Sequence, residues 1–268
     1  MAIDPMCEPE VPRATLRGPL RRAGIGLFTG GRCASTVRPA PAGAGLQIRA
    51  GGVITPVRPG FAQTPGGRTS VPGAETVEHL LAALVGLGVH DAMIDVEGGE
   101  VPILDGSASP WVAAIEETGM VVHAHRAPGA MAAACVTDGH ASARWTPGGP
   151  LRVSVTVEFA GGPSGAWAGL MDPATFAREI APARTFARAT DLPALRAAGR
   201  GAGASADCVV VWPPQAPLRF DDEPVRHKVL DLLGDLAWLG EPLTGSFEVR
   251  RGTHAIHQQL VRAMAALG

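Results

Sequence analysis

His227 and Asp231 stand four residues apart within Pro224 to Leu239, a segment whose apolar spacing predicts a long helix. Side chains at i and i+4 share one helix face, so an imidazole nitrogen and a carboxylate oxygen there can meet a single metal ion. Two such ligands do not make a catalytic zinc centre; three protein ligands and an open position for water do. His79 is the natural third ligand because Glu78 precedes it. A carboxylate beside zinc-bound water, whose pKa lies near ~7, takes a proton as the water attacks a carbonyl. Spacing alone also admits a plain reading. H-x-x-x-D pairs are common on helices, and acids favour a helix's first turn whatever else they do.

Lys228 lies between the two helical candidates and is the only lysine; Tyr and Asn are absent, and the rest of the 23 Lys+Arg residues are Arg. A coding bias against Lys, Asn and Tyr explains this composition. A lysine kept under such a bias marks a site that needs a compact point charge rather than a planar fork; a chance survivor is the alternative. His254 follows Arg251-Gly252-Thr253 at the start of the last helical segment. A pKa near neutrality suits it to act as general acid or as cationic stabiliser of an oxyanion. Asp235, four residues beyond Asp231, is placed to orient His254 or a ligand, or is a plain surface carboxylate. His90, His123, His125, His140 and His257 read as surface or internally satisfied residues.

The elements that must position these groups follow from pattern. Short strands are predicted at Cys33 to Arg38, Gly45 to Arg49 and Asp91 to Val96, with a Gly/Pro-rich loop from Gly51 to Gly73. Glu75 to Leu87 is a helix, with Val77, Leu80, Leu81 and Leu84 on one face. Trp111 to Thr118 is a second, with Pro110 suited to its first position. His123 to Pro128 reads as a linker. Beyond it, strands are predicted at Ala132 to Thr137, Ala141 to Trp145, Leu151 to Phe159, Arg184 to Ala187, Cys208 to Trp212 and Ser246 to Arg250. Helices are predicted at Pro173 to Ile180, Leu192 to Ala198, Pro224 to Leu239 and His254 to Leu267. Strands followed by helices, twice over, imply two α+β halves packed together.

Length and composition narrow the classes. The 268 residues suit one large domain or two ordinary ones, and a 46% hydrophobic content supports a sizeable core. Net charge is −2 and the pI near 6.4, with no basic stripe, which argues against nucleic acid. Cys7, Cys33, Cys135 and Cys208 are far apart and form no C-x-x-C, so reduced thiols are expected rather than a disulfide framework. Met1 to Arg13 has no apolar core run and reads as a disordered start rather than a signal peptide. No apolar run reaches the roughly 18 residues that span a membrane.

Several stretches together carry a family resemblance. They are GIGLFTG (Gly24 to Gly30), RPAP (Arg38 to Pro41), TVEHLLAAL (Thr76 to Leu84), PILDGSA (Pro102 to Ala108), ARTF (Ala183 to Phe186), LRF (Leu218 to Phe220), VRHKVLD (Val225 to Asp231), Gly234-Asp235, and GTHA (Gly252 to Ala255). In this order the chain, from about Ala14 onward, resembles the UDP-3-O-acyl-N-acetylglucosamine deacetylases of lipid A biosynthesis. The resemblance implies an α+β fold of two similar two-layer α/β sandwich domains, with the active site between them. The first would span 14–124 and carry Glu78 and His79; the second would span 128–268 and carry His227, Asp231 and His254. It implies Zn2+ on His79, His227 and Asp231, Glu78 as base and His254 as acid. Thr185 would donate to the oxyanion, and Lys228 and Asp235 would assist electrostatically. Phe186 would pack on the sugar. Ala187 to Trp212 would form an acyl-chain passage, with Leu192, Leu195 and Ala198 lining it.

The implied reaction is hydrolysis of the 2-acetamido group of an acylated UDP-sugar, the committed step of lipid A biosynthesis. The implied partners are that small molecule and water. A cytoplasmic monomer is expected, touching a membrane surface at most transiently. Phe28 stands where the family usually has His, the 51–73 loop departs from the family pattern, His257-Gln258 replaces the usual Asn-Asn, and the chain ends soon after the final helix. These departures point to an alternative, a diverged paralogue acting on another N-acyl sugar. A non-catalytic binder of a nucleotide sugar or acyl chain is a third reading, opposed by the intact Glu-His, His-Lys-x-x-Asp and Thr-His-Ala set.

Overall fold

In a computed structural model of the protein, which describes residues 11–126 and 132–267, two stretches of chain build the same arrangement in succession. The first runs β1 (Val11–Leu16), β2 (Leu20–Ile25), β3 (Arg32–Pro39), β4 (Leu46–Ala50), β5 (Val53–Pro56), α1 (Glu78–Gly86), β6 (Ala92–Glu97), α2 (Ser109–Thr118) and β7 (Met120–Arg126). The second runs β8 (Ala134–Asp138), β9 (Ala141–Thr146), β10 (Arg152–Glu158), β11 (Ser164–Leu170), α3 (Pro173–Thr175), β12 (Phe186–Arg188), α4 (Leu192–Ala197), β13 (Val210–Trp212), α5 (Glu223–Leu236), β14 (Ser246–Arg250) and α6 (His254–Ala266). A wider π-type turn, Phe176–Ile180, follows α3.

The two main sheets have equivalent orders, β2-β3-β6-β4-β5 and β8-β9-β14-β10-β11. In each, a late strand enters between two hairpins. β6 is antiparallel to β3 and parallel to β4; β14 is antiparallel to β9 and parallel to β10. A parallel neighbour requires a crossover, and here each crossover carries a long helix, α1 before β6 and α5 before β14. The second crossover also carries the small parallel pair β12–β13 with α4 between its strands. β1 and β7 pair antiparallel and bracket the first half.

Sequence pattern explains the burial. Val153, Val155 and Val157 alternate inward along β10, as do Phe247 and Val249 on its partner β14. Phe247 pairs with Val153 on one side and with Trp145 on the other, where the rings stand 6.2 Å apart. α1 is buried almost all round because it lies in the interior, and α1 packs on α5. The core is one continuous cluster drawing on both halves. Gly234 permits the α1–α5 approach, since a Cβ there would stand 2.2 Å from the Glu78 carbonyl oxygen. Cores resist such overpacking.

The structure adds strands that pattern did not predict: β1, β2, β5, β7 and β11. β5 falls inside the predicted 51–73 loop, and His123 to Arg126, read as linker, closes β7. Val11 to Arg13 belongs to β1 rather than to a disordered start. Residues 1–10 with Cys7, residues 127–131 and the side chain of His125 lie outside the described residues. Cys33, Cys135 and Cys208 are free thiols, as expected.

Candidate metal and catalytic site

Three ligand-type side chains from two helices converge. His79, in the first turn of α1, and His227 and Asp231, one turn apart on α5, place one donor atom each within 4.8 Å of one another. His79 Nε2 lies 3.9 Å and His227 Nε2 3.4 Å from Asp231 Oδ1, with the imidazole rings edge-on at 5.0 Å. All three residues are buried. His227 Nδ1 meets the Ala183 carbonyl oxygen at 3.0 Å. That acceptor fixes the proton on Nδ1 and leaves Nε2 with its lone pair free. Burial holds His79 neutral, its pKa pushed down to about 3, with the neighbouring His227 adding to the effect. Burial likewise lowers His227. Burial alone would raise Asp231, but Lys228 and the surrounding imidazoles outweigh it and keep the carboxylate ionised. Two neutral imidazoles and one carboxylate suit a borderline divalent metal ion.

A second cluster, Asp235, His254 and His257, has the same residue types but a different chemistry. Both imidazole Nδ1 atoms lie 2.7 Å from Asp235 Oδ2, and Thr69 donates its hydroxyl to Oδ1 at 2.5 Å. The carboxylate is thus already engaged by hydrogen-bond donors, which makes this a proton-holding network rather than a vacant ligand set. Thr253 caps α6, its hydroxyl accepting from Ile256 N at 3.3 Å, and so fixes His254 as the first helical residue. Burial works against a charged His254, but the charge and hydrogen bond of Asp235 prevail and raise its pKa to about 9. Asp235 falls to about 2 despite burial, drawn down by His254 first and then His257. His254 Nε2 lies 3.9 Å from Asp231 Oδ2, so this network borders the ligand cluster.

Glu78 is buried beside both groups and accepts from Thr69 N at 3.1 Å. Burial raises its pKa to about 7, with His254 pulling the other way. A carboxylate poised there exchanges protons near neutrality. Lys228 donates to Asp231 Oδ2 at 2.9 Å and sits 5.8 Å over the Phe186 ring. Its pKa rises, because Asp231 outweighs burial.

A cleft of about 940 Å³ opens over these groups. Glu78, His79, Thr185, Phe186, His227, Lys228, Asp231 and His254 line it, and so do Leu192, Leu195 and Ala198 from α4 and its C-terminal end. Asp235 stands behind His254, not on the wall. Thr185 is held by backbone bonds to Gly106 and Val210. The backbone N–H and guanidinium of neighbouring Arg184 bind buried Glu223. Phe186 packs edge-on against Phe159 at 5.7 Å. The structure therefore gathers the sequence candidates on one cleft, Asp235 through His254.

Two participants escaped sequence reasoning. Thr69 came from the stretch read as a Gly/Pro-rich loop, and His257, read as surface or satisfied, is buried against Asp235. His257 did carry a signal, since it lies three residues after His254 on a helical pattern. Thr69 carried none. Among the other histidines, His90 is buried on the Gly88 carbonyl oxygen, and His123 bonds Asp91.

With this geometry in place, comparison with known proteins gives one consistent result. The family model described as UDP-3-O-acyl N-acetylglycosamine deacetylase matches residues 13–266. A UDP-3-O-acyl-N-acetylglucosamine deacetylase of Thermosynechococcus vestitus is 37% identical, over 94% of this chain and 93% of the relative. One from Myxococcus xanthus is also 37% identical, over 89% and 82%. One from Stenotrophomonas maltophilia is 32% identical, over 96% and 91%.

Proposed function

This chain belongs to the UDP-3-O-acyl N-acetylglycosamine deacetylase family, a family of metal-dependent hydrolases, and from that premise we propose that its cleft removes the 2-N-acetyl group of UDP-3-O-acyl-N-acetylglucosamine. The observation that carries this reading is the convergence of His79, His227 and Asp231 with Glu78 and His254 on one cleft floor. Zn2+ is the proposed ion on the three ligands, and the halves 14–124 and 128–268 are the proposed domains. When bound, such an ion supplies Lewis-acid polarisation of a carbonyl and acidifies a water molecule.

The chain's own residues supply the rest. Glu78, with its pKa near 7, takes the proton of the attacking water. His254 enters the reaction as a cation and faces the negative charge that develops on the acetyl oxygen. Thr185 donates a further hydrogen bond there. Glu78 or His254 then protonates the departing amine, and acetate leaves. Lys228 and Asp235 keep Asp231 and His254 in their charge states. Phe186 packs on the sugar, and Leu192, Leu195 and Ala198 flank the acyl chain. The substrate and water are the proposed partners of a cytoplasmic monomer in transient contact with a membrane surface. Among the described residues no helix is long and apolar enough to cross one.

The test is metal analysis and acetate release on one preparation. Zinc near one equivalent, turnover of the named substrate, and loss of turnover in folded Glu78→Ala are expected. Phe28 lines the cleft and favours one second reading, another N-acyl sugar. A zinc-loaded protein inactive on the named substrate would select that reading. A folded Glu78→Ala variant with wild-type turnover would remove Glu78 from its role.

A further inference from the structure

Thr69 lies outside every motif that brought the chain to its family, yet it touches both proton-handling groups of the cleft. Its backbone N–H donates to Glu78 Oε2 at 3.1 Å. Its hydroxyl donates to Asp235 Oδ1 at 2.5 Å and stands 3.2 Å from His254 Nδ1. Thr69 and Glu78 come from the first half of the chain, Asp235 and His254 from the second. The side chain is completely inaccessible.

The Asp235 carboxylate depends on this contact for its orientation. Its Oδ2 atom is shared by two imidazoles, each at 2.7 Å. Among the described residues, Thr69 supplies the hydrogen bond to Oδ1. A carboxylate held at one oxygen can turn about Cβ–Cγ; one held at both cannot. His254 is tied to Asp235 through Nδ1, so the aim of its Nε2 follows the carboxylate plane. Bonds of hydroxyl to carboxylate at this length are the strong, charge-assisted kind.

The loop bearing Thr69 is itself fixed. Gln63 and Ser70 exchange backbone hydrogen bonds, and Val77 N donates to Thr69 O at 3.1 Å. Arg68 pairs with Glu75 and lays its guanidinium 4.3 Å over the Phe28 ring. Phe28 N and Thr29 N are held in turn by buried Glu100. Thr69 is therefore anchored to the first half before it reaches across.

We propose that Thr69 is a positioning residue that bridges the two halves, its hydroxyl fixing Asp235 and thereby His254, and its N–H fixing Glu78. The proposal rests on the roles given above to Glu78 and His254. Three forms are compared: wild type, Thr69→Val, which deletes the hydroxyl and keeps the branch, and Thr69→Ser, which keeps the hydroxyl. Metal-loaded protein is assayed for deacetylation. The Nδ1–H proton of His254, assigned by its loss in His254→Gln, is followed by NMR.

In Thr69→Val, kcat should fall about 10- to 100-fold with KM within about threefold, the scale seen when an orienting hydrogen bond is removed; Thr69→Ser should recover to within about threefold of wild type. The His254 Nδ1–H signal should shift or vanish in Thr69→Val and return in Thr69→Ser. Unchanged kcat and signal in Thr69→Val would overturn the proposal. An equal loss in both variants would also overturn it, since packing rather than the hydroxyl would then matter. If Thr69→Val does not fold, Thr69→Cys takes its place with the same expectations. A wild-type protein without turnover would defeat the functional reading, while the NMR comparison would still decide the role of Thr69.

Discussion

Asp91 and Asp235 are both completely buried carboxylates, one in each half, and both have pKa values near 2. In both, burial alone would raise the pKa and hydrogen-bonded partners reverse it. The partners differ. Asp91 takes two bonds from Arg13 at 3.0 and 3.2 Å, one from Gly45 N at 2.7 Å, and a contact with His123 at 3.0 Å. Asp235 has two imidazoles and a hydroxyl. A guanidinium never releases its proton in a protein, so Arg13–Asp91 is a fixed knot between β1 and the residue that precedes β6. An imidazolium can exchange its proton. His254–Asp235 thus puts the same burial to use as a charge that faces the cleft. Burial and a perturbed pKa do not by themselves mark a catalytic group; the identity of the counter-ion and access to a cavity do.

Breaking the Asp235 side should produce the largest effect. His254→Gln keeps a polar side chain and removes the cation. Turnover per folded molecule should fall by about 10²–10⁴-fold, the range for a positioned acid or base, and stability below pH 6.5 should fall by about 3 kcal/mol with the loss of the buried cation. Steady-state kinetics beside a melting curve separate the two. A variant within tenfold of wild-type turnover would assign the charge to Lys228 instead.

Breaking the Asp91 side should cost stability alone. Arg13→Met leaves a buried carboxylate without its guanidinium, while Glu241 also loses its 3.3 Å contact with Arg13. Removing one partner of a buried pair costs about 3–5 kcal/mol. Urea unfolding should report that loss, and turnover per folded molecule should stay at the wild-type level. A large drop in turnover with unchanged stability would show that Asp91 communicates with the cleft.

Legibility followed the range of the interactions. The His227–Asp231 pair, the Glu78-His79 helix start and His254 were visible because one-turn spacing is local. That two halves exist was also visible, from the order of strands and helices. The strand order of the two sheets was not, because it is fixed by pairings between distant residues such as Ile48 with Ile94 and Val155 with Val249. β11 (SGAWAGL) was missed for its Gly and Ala, and β1 for Pro12. Such short strands are read from branched and aromatic side chains, which are sparse here: Trp167 alone in β11, Val11 and Thr15 in β1. Thr69 was beyond reach for a sharper reason. Its partners lie 9, 166 and 185 positions away, and the loop around it has no periodicity.

The smallest effect is the most discriminating, because it reads the counter-ions directly. In metal-stripped protein both carboxylates have folded pKa values near 2, below the ordinary 3.8. Their contributions to stability are complete above that ordinary value and fade as pH falls toward 2. Only the Asp235 side has an alkaline limb. His254 titrates near 9 in the folded protein and at 6.5 ordinarily, so its contribution is complete below 6.5 and is lost as pH rises through 9. The alkaline loss should be on the order of 3 kcal/mol. Unfolding free energies from pH 2 to pH 10 test this with the same two variants. Arg13→Met should flatten the acid limb and leave the alkaline one, since Arg13 keeps its proton throughout. His254→Gln should abolish the limb between pH 6.5 and 9, leaving above it only the loss from the Cys33 thiol, which burial raises to about 11. If that limb persisted in His254→Gln, the proton would reside elsewhere, and the contrast between the two carboxylates would rest on access to the cleft alone.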